Sequence, residues 1–190
     1  MDLNMNEHGQ RYSAENLLDT GLQLLETESI QQLTISALCK KMGVTKGSFY
    51  HHFKNRVDFL DRMLDYWVQV WTIDRVQELS SSASALERYK KMVEVSVDYP
   101  MNVEISIRAW AQQDTLAQKY LQKVDNMRIE CLRLIFEELC GNPERAAVLA
   151  KIDYAIFVGV RMVSPPIVGN EAMEIVNLLL NELYNIPVSG

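Results

Sequence analysis

The stretch from Thr34 to Phe53, T-I-S-A-L-C-K-K-M-G-V-T-K-G-S-F-Y-H-H-F, leaves the chain few options: it reads as two short helices joined by a tight turn. Thr34 can cap a helix whose apolar residues Ile35, Leu38 and Met42 recur at i, i+3 and i+7, so that one face points into a core. Gly43 follows the last periodic residue and supplies the left-handed backbone that turns the chain. Thr45 then offers a second hydroxyl cap. In the helix that it opens, Phe49 and Phe53 share one face, with Val44 and Leu38 as expected neighbours. Gly47, Ser48 and His51 are thereby expected on the opposite, exposed face.

Charge is concentrated in the same place. Lys40, Lys41, Lys46, Lys54 and Arg56 fall between Lys40 and Val57 with no acid among them, in a chain whose formal net charge is -6. A run of cations by itself is most often a solvated face. Joined to two capped helices, a glycine turn and a Phe-x-x-x-Phe face, it points to duplex DNA, whose phosphates draw cations. Gly47 would let the backbone of the second helix approach the duplex with no side chain in the way.

The rest of the chain reads as helical. At 190 residues and 48% hydrophobic content it can bury a substantial core, and five Pro and eight Gly leave room for long periodic stretches. Ser13 is expected to cap a first helix with an apolar stripe of Ala14, Leu17, Leu18, Gly21, Leu22 and Leu25, completing a three-helix head. Asn55 opens a fourth helix to about Leu79, with Asp58 satisfying its first turn. Ser80-Ser81-Ser82-Ala83-Ser84 reads as a loop, and a fifth helix runs from Ala85 to Asp98. Tyr99-Pro100 is a break, after which Asn102 caps a sixth helix through Gln113 and Asp114 caps a seventh to about Leu139. Gly141-Asn142-Pro143 stops that helix and starts an eighth to Val163, ended by Ser164-Pro165-Pro166. Asn170 caps a ninth from Glu171 to Tyr184, closed by Pro187. The expectation is an all-α chain of about nine helices.

No run of eighteen apolar residues occurs, and Met1 to Gln10 is polar and acidic, so a cytoplasmic protein that does not engage membranes is expected. Cys39, Cys131 and Cys140 are odd in number, and the last two lie nine residues apart on opposite faces of a helix. Neither a disulfide framework nor a metal site follows from them, and no cofactor is expected.

From Leu33 to Leu64 the chain resembles the DNA-binding end of the TetR family of bacterial transcriptional regulators. Leu38, Gly43, Val44, Thr45, Gly47, Phe49, Tyr50, His52 and Phe53 carry the likeness, followed by Lys54-Asn55-Arg56 and Phe59-Leu60, with a fainter echo at Ile107-Arg108-Ala109-Trp110-Ala111. The chain departs from the family pattern at Glu28-Ser29-Ile30, Leu38-Cys39 and Val57-Asp58. The resemblance implies a homodimer with a three-helix helix-turn-helix head, here residues 1–54, on a helical-bundle body for ligand binding and dimerisation, here 55–190. It implies that Thr45, Tyr50 and Lys54 hold phosphates, that Lys46, Ser48 and His51 reach base edges, and that Ser36 assists. The function implied is that of a ligand-responsive regulator, a repressor released from a palindromic operator by a small apolar or aromatic effector.

Two sets of body residues fit those roles. Trp67, Trp71, Tyr89, Met92, Trp110, Tyr154 and Phe157 can wall an apolar pocket or fill an ordinary core, and their residue types suit both. Arg108, Asp153 or Arg161 could orient a polar ligand group. On the last two helices, Ala155 and Gly159 stand one turn apart beside Ile152, Ile156 and Val163, matched by Ile175, Leu178, Leu179 and Leu183. These serve an internal helix pair or a dimer interface, and the interface is favoured because one short recognition helix contacts too few base pairs.

The competing classes are an enzyme and an architectural DNA binder without a ligand. His8 lies in a polar tail and His51 and His52 lie in the recognition segment, so from Lys54 onward no histidine is available for acid–base work, and no phosphate loop or nucleophile motif occurs. An architectural binder would leave about two thirds of the chain without a role.

Overall fold

The computed structural model describes residues 13–79, 84–97 and 101–184. Among the described residues every element is helical, and there are nine helices. The head consists of α1 (Ala14–Leu25), α2 (Ile35–Met42) and α3 (Lys46–His52). Next, α4 runs as Arg56–Val68, widens into a π-helical turn at Gln69–Ile73 and resumes as Asp74–Leu79. There follow α5 (Ala85–Val97), α6 (Met101–Ala111), α7 (Thr115–Cys140) and α8 (Pro143–Met162). The last is α9, Gly169–Leu178 with a π-helical turn at Leu179–Leu183.

Most helix starts are set by local side chains, as the sequence indicates. Ser13 accepts from the Asn16 amide while Asn16 reaches back to the Ser13 amide, a reciprocal cap. Ser84 and Glu87 form the same pair ahead of α5. Asn55, Asp114 and Asn142 accept from the first-turn amides of α4, α7 and α8. Gly43 and Gly141, at φ 68° and 64°, provide the left-handed residues that end α2 and α7.

Two expected caps are corrected. Asn102 lies inside the first turn of α6, which already starts at Met101, and α6 ends at Ala111 rather than Gln113. Asn170 lies inside α9, because Gly169 at φ 61° lets that helix open two residues earlier than expected, behind Val168, which makes no side-chain cap. The expectations for the Met1–Gln10 tail, the 80–83 loop, the Tyr99-Pro100 break and the Pro187 stop lie outside the described residues.

The chain divides into two compact units, residues 13–73 with 101–124, and residues 74–79 and 84–97 with 125–184. In the first, α1 packs on α2, α4 and α6, while α2 packs on α3. Its core holds Leu17, Leu25, Leu38, Phe49, Phe53, Met63, Leu64 and Trp67. The α1–α4 crossing depends on Gly21, where an added Cβ would lie 2.7 Å from both Met63 Sδ and Phe59 Cζ. Ser106 on α6 donates to the Leu25 carbonyl at 2.7 Å, which ties α6 to the end of α1. Packing therefore groups the start of α4 with the head.

In the second unit, α5, α7, α8 and the end of α9 enclose Tyr89, Leu132, Ile135, Phe136, Ala150, Leu180 and Tyr184. A polar knot sits within this apolar set. Asp153 Oδ1 accepts from Tyr89 at 2.6 Å and from Tyr184 at 2.9 Å, so three helices meet at one carboxylate oxygen. Burial pushes the Asp153 carboxyl above its ordinary value, and the two phenol hydrogen bonds oppose that rise.

Candidate functional site

The turn between α2 and α3 is built as its residues dictate. The Ala37 amide donates to Thr34 Oγ1 at 3.1 Å, and the Ser48 amide donates to Thr45 Oγ1 at 3.1 Å. Phe49 and Phe53 are 0% and 1% exposed, and with Phe59 they form a cluster of rings whose centroids lie 5.1–5.5 Å apart. The inner face of α3 is thus fixed, and fixing it presents the outer face. Ser36, Thr45, Lys46, Gly47, Tyr50, His51 and Lys54 are all exposed, Tyr50 by 54%. Nearest to Gly47, an added Cβ would meet only Thr45 Oγ1, at 3.5 Å, so this position is open to an approaching backbone.

One of the expected exposed residues is not on that face. Ser48 is 5% exposed, and its Oγ lies 3.1 Å from Thr45 Oγ1. At the third position of a seven-residue helix, the side chain folds back onto the cap instead of reaching a base edge. When Ser48 donates in this pair, the Thr45 O–H is left to donate outward.

Arg56 also differs from the cations around it. Its Nε donates to the Leu33 carbonyl at 2.9 Å and its Nη2 to the Ile30 carbonyl at 2.6 Å. It pins the loop before α2, a role that sequence spacing does not disclose because the partners lie more than twenty residues away. Arg62 behaves similarly: it donates to the His52 carbonyl at 2.8 Å and lies over the Phe53 ring at 4.7 Å. The His52 imidazole is held below its ordinary pKa by burial, then by His51 and Arg62, so its neutral form is favoured. Cys39, buried under the same turn, approaches the Thr45 carbonyl through its thiol at 3.7 Å, and burial pushes that thiol up against the pull of Lys46.

The proposed pocket residues fall into both compact units. Trp67 is fully buried in the first, together with Trp110 at 7% and a half-buried Trp71. In the second, Tyr89 and Tyr154 are members of the core, with Met92 and Phe157 packed against it. Tyr154 donates to Asp125 at 2.7 Å and stacks on Phe157, whose ring in turn carries the Arg161 guanidinium at 4.6 Å. These residues are engaged with one another. Arg108 binds the fully buried Glu104 through Nε and Nη2 at 2.9 and 2.6 Å, and Arg161 donates to the Ser96 carbonyl at 2.8 Å.

On α8 the residues expected at a dimer interface form an outward stripe. Ile152 is half-buried, Ala155 is exposed, Val163 is 47% exposed, and a Cβ added at Gly159 would meet nothing within 4 Å. Val148 and Met162, at 57% and 52%, extend this stripe at helical spacing and were not singled out by sequence reasoning. On α9, Leu178 is 62% exposed and Ile175 is half-buried. Leu179 packs instead against the core of its own unit, because the π turn that starts there rotates the helix end.

Residues 17–63 match the family described as bacterial regulatory proteins, tetR family. Over 61 residues the chain is 39% identical to the HTH-type transcriptional repressor NemR of Escherichia coli K12, a stretch that covers 32% of this chain and 31% of that repressor. The chain therefore matches the curated relative over less than a third of that protein's length. In three dimensions the likeness extends further. The crystal structure of E. coli NemR in its reduced form superposes with a TM-score of 0.74 at 19% identity, covering 93% of this chain and 98% of that one. A transcriptional regulator from Saccharomonospora viridis, solved in complex with choline, gives 0.74 at 15% identity, with 89% and 95% covered. At such identities the likeness establishes the fold, a helix-turn-helix head with a helical body.

Proposed function

We propose that this chain, whose residues 17–63 match the tetR family of bacterial regulatory proteins, is a cytoplasmic, ligand-responsive repressor that binds a palindromic operator as a homodimer. Residues 1–54 serve as the DNA-binding part and 55–190 hold the effector and the partner subunit. One observation carries the reading: the buried Phe49 and Phe53 lock a short helix so that Lys46, Gly47, Tyr50, His51 and Lys54 face solvent together. Lys54, Tyr50 and Thr45 hold phosphates, Lys46 and His51 reach base edges, and Ser36 assists from the start of α2. Ser48 supports the cap. The protein works by binding and not by chemistry.

The outward apolar stripe of α8, with Leu178 on α9, supports pairing of two subunits, since exposed apolar side chains at regular helical spacing favour a covering surface. Paired heads must present their recognition helices about 34–36 Å apart to enter successive major grooves. A ligand that shifts α4 changes that distance and releases the operator. The choline-bound relative supports a body that admits a small molecule. Selection of duplexes from a randomised pool tests the proposal. An enriched inverted repeat with half-sites one helical turn apart is expected, whereas no enrichment, or a single unpaired half-site, would contradict it.

A further inference from the structure

Two polar atoms are stranded where α4 changes its winding. The Trp67 indole and the Thr72 hydroxyl belong to side chains 0% and 1% exposed, and neither Trp67 Nε1 nor Thr72 Oγ1 has a hydrogen-bond partner. Thr72 lies inside the π-helical turn and Trp67 two residues before it. A buried donor without a partner is costly, and native proteins retain few. A π turn within an α-helix is likewise costly and is found most often at functional sites. The two costs coincide on one stretch of one helix. That helix begins at Arg56, capped by Asn55 shortly after the recognition helix, and its Phe59 and Met63 pack against α1 of the head.

We propose that Trp67 and Thr72 hold the polar end of the effector, an uncharged molecule with an apolar body and a hydrogen-bond acceptor. This rests on the effector-responsive reading given above. The indole N–H can only donate, so the ligand atom facing it is an acceptor; the Thr72 hydroxyl, donor and acceptor both, completes the contact. The ligand is uncharged because none of the buried side chains of residues 63–72 carries a charge. Met63, Leu64 and Val68 are apolar and buried, and the fully buried carboxylate of the unit, Glu104, is already bound by Arg108 at 2.6 Å. A formal charge here would be desolvated without compensation. The effector class thus narrows from apolar or aromatic molecules to neutral ones that bear an acceptor.

The test uses the full-length protein, with acetophenone as the acceptor-bearing probe and α-methylstyrene as its near-isostere without the acceptor. In 15N-indole spectra, acetophenone should move the Trp67 Nε1–H signal downfield and α-methylstyrene should not. Trp67→Phe assigns the signal; where that variant does not fold, Trp71→Phe and Trp110→Phe assign it by elimination. Thr72→Val should weaken acetophenone about five- to tenfold while melting at or above the wild-type temperature, because it removes a hydroxyl that the unliganded protein leaves unpaired. A lower melting temperature for Thr72→Val, or a Trp67 signal that responds to both probes alike or to neither, would overturn the proposal. DNA binding in the absence of a Trp67 response would leave the DNA-binding reading standing and reject this one; a Trp67 response in a protein that binds no duplex would do the reverse.

Discussion

Lys54 and Arg56 are two residues apart and carry the same charge, yet only Lys54 extends freely into solvent, while Arg56 is spent on the carbonyls of Leu33 and Ile30. Their substitutions should separate cleanly. Arg56→Ala should lower stability by about 2 kcal/mol, by removing two charge-assisted hydrogen bonds, and leave the salt dependence of DNA binding unchanged. Lys54→Ala should do the opposite, with no shift in melting and a salt slope shallower by about 0.9. Thermal melts and anisotropy titrations on the same preparations check both. Ser48→Ala should act through α3 itself and cost about 1 kcal/mol of stability, where a base-reading serine would cost only affinity. The caps at Thr34 and Thr45 were legible in sequence because a cap and its amide are three residues apart. Arg56 was not, because its carbonyl partners lie on a separate segment, and Ser48 was missed because helical phase alone assigned it to the outer face although its partner Thr45 is only three residues away.

Helix crossings make different demands. At Gly21 there is no room for a methyl group against Met63 and Phe59, so Gly21→Ala should destabilise the head by about 1–3 kcal/mol even though alanine is the better helix former. A raised melting temperature would show that the α1–α4 contact is looser than described. In the second unit, Asp153 joins α5, α8 and the end of α9 through two tyrosine hydroxyls. Its carboxyl is raised by burial, so the folded state binds the proton more tightly than the unfolded one. That contribution is complete below the unfolded value near 3.9 and is lost as pH rises through the folded value. Melting temperatures of wild type and Asp153→Asn should therefore diverge in favour of the variant as pH goes from about 4 to 7; parallel curves would refute this. The order and span of the helices were readable from apolar period and end residues. The π turns were not, since a one-residue change in winding leaves no mark on the pattern, and the seven aromatic and Met candidates could not be sorted into wall or core by spacing alone.

At the scale of the whole molecule, the proposed function requires pairing of two subunits. The stripe from Val148 through Ile152, Ala155 and Gly159 to Val163 was half visible in sequence: its small residues drew notice, while Val148 and Met162 emerged only with their exposure. Gly159 faces open space within its own subunit, so Gly159→Leu should leave the fold intact and weaken dimerisation, turning the sedimenting species from dimer towards monomer. An unchanged dimer would place the interface elsewhere. Coupling between effector and operator must be reciprocal, each weakening the other by the same factor when both are measured as equilibrium affinities. The claim on which the rest depends is that the outer edge of α3 binds DNA. The salt dependence of duplex affinity, measured by fluorescence anisotropy for wild type and the Lys46→Ala/Lys54→Ala double variant, tests it most directly. A steep wild-type slope is expected, falling by about 1.8 in the double variant, roughly 0.9 for each cation withdrawn from the DNA surface. Equal slopes for the two proteins, or no duplex binding by wild type at low salt, would contradict it.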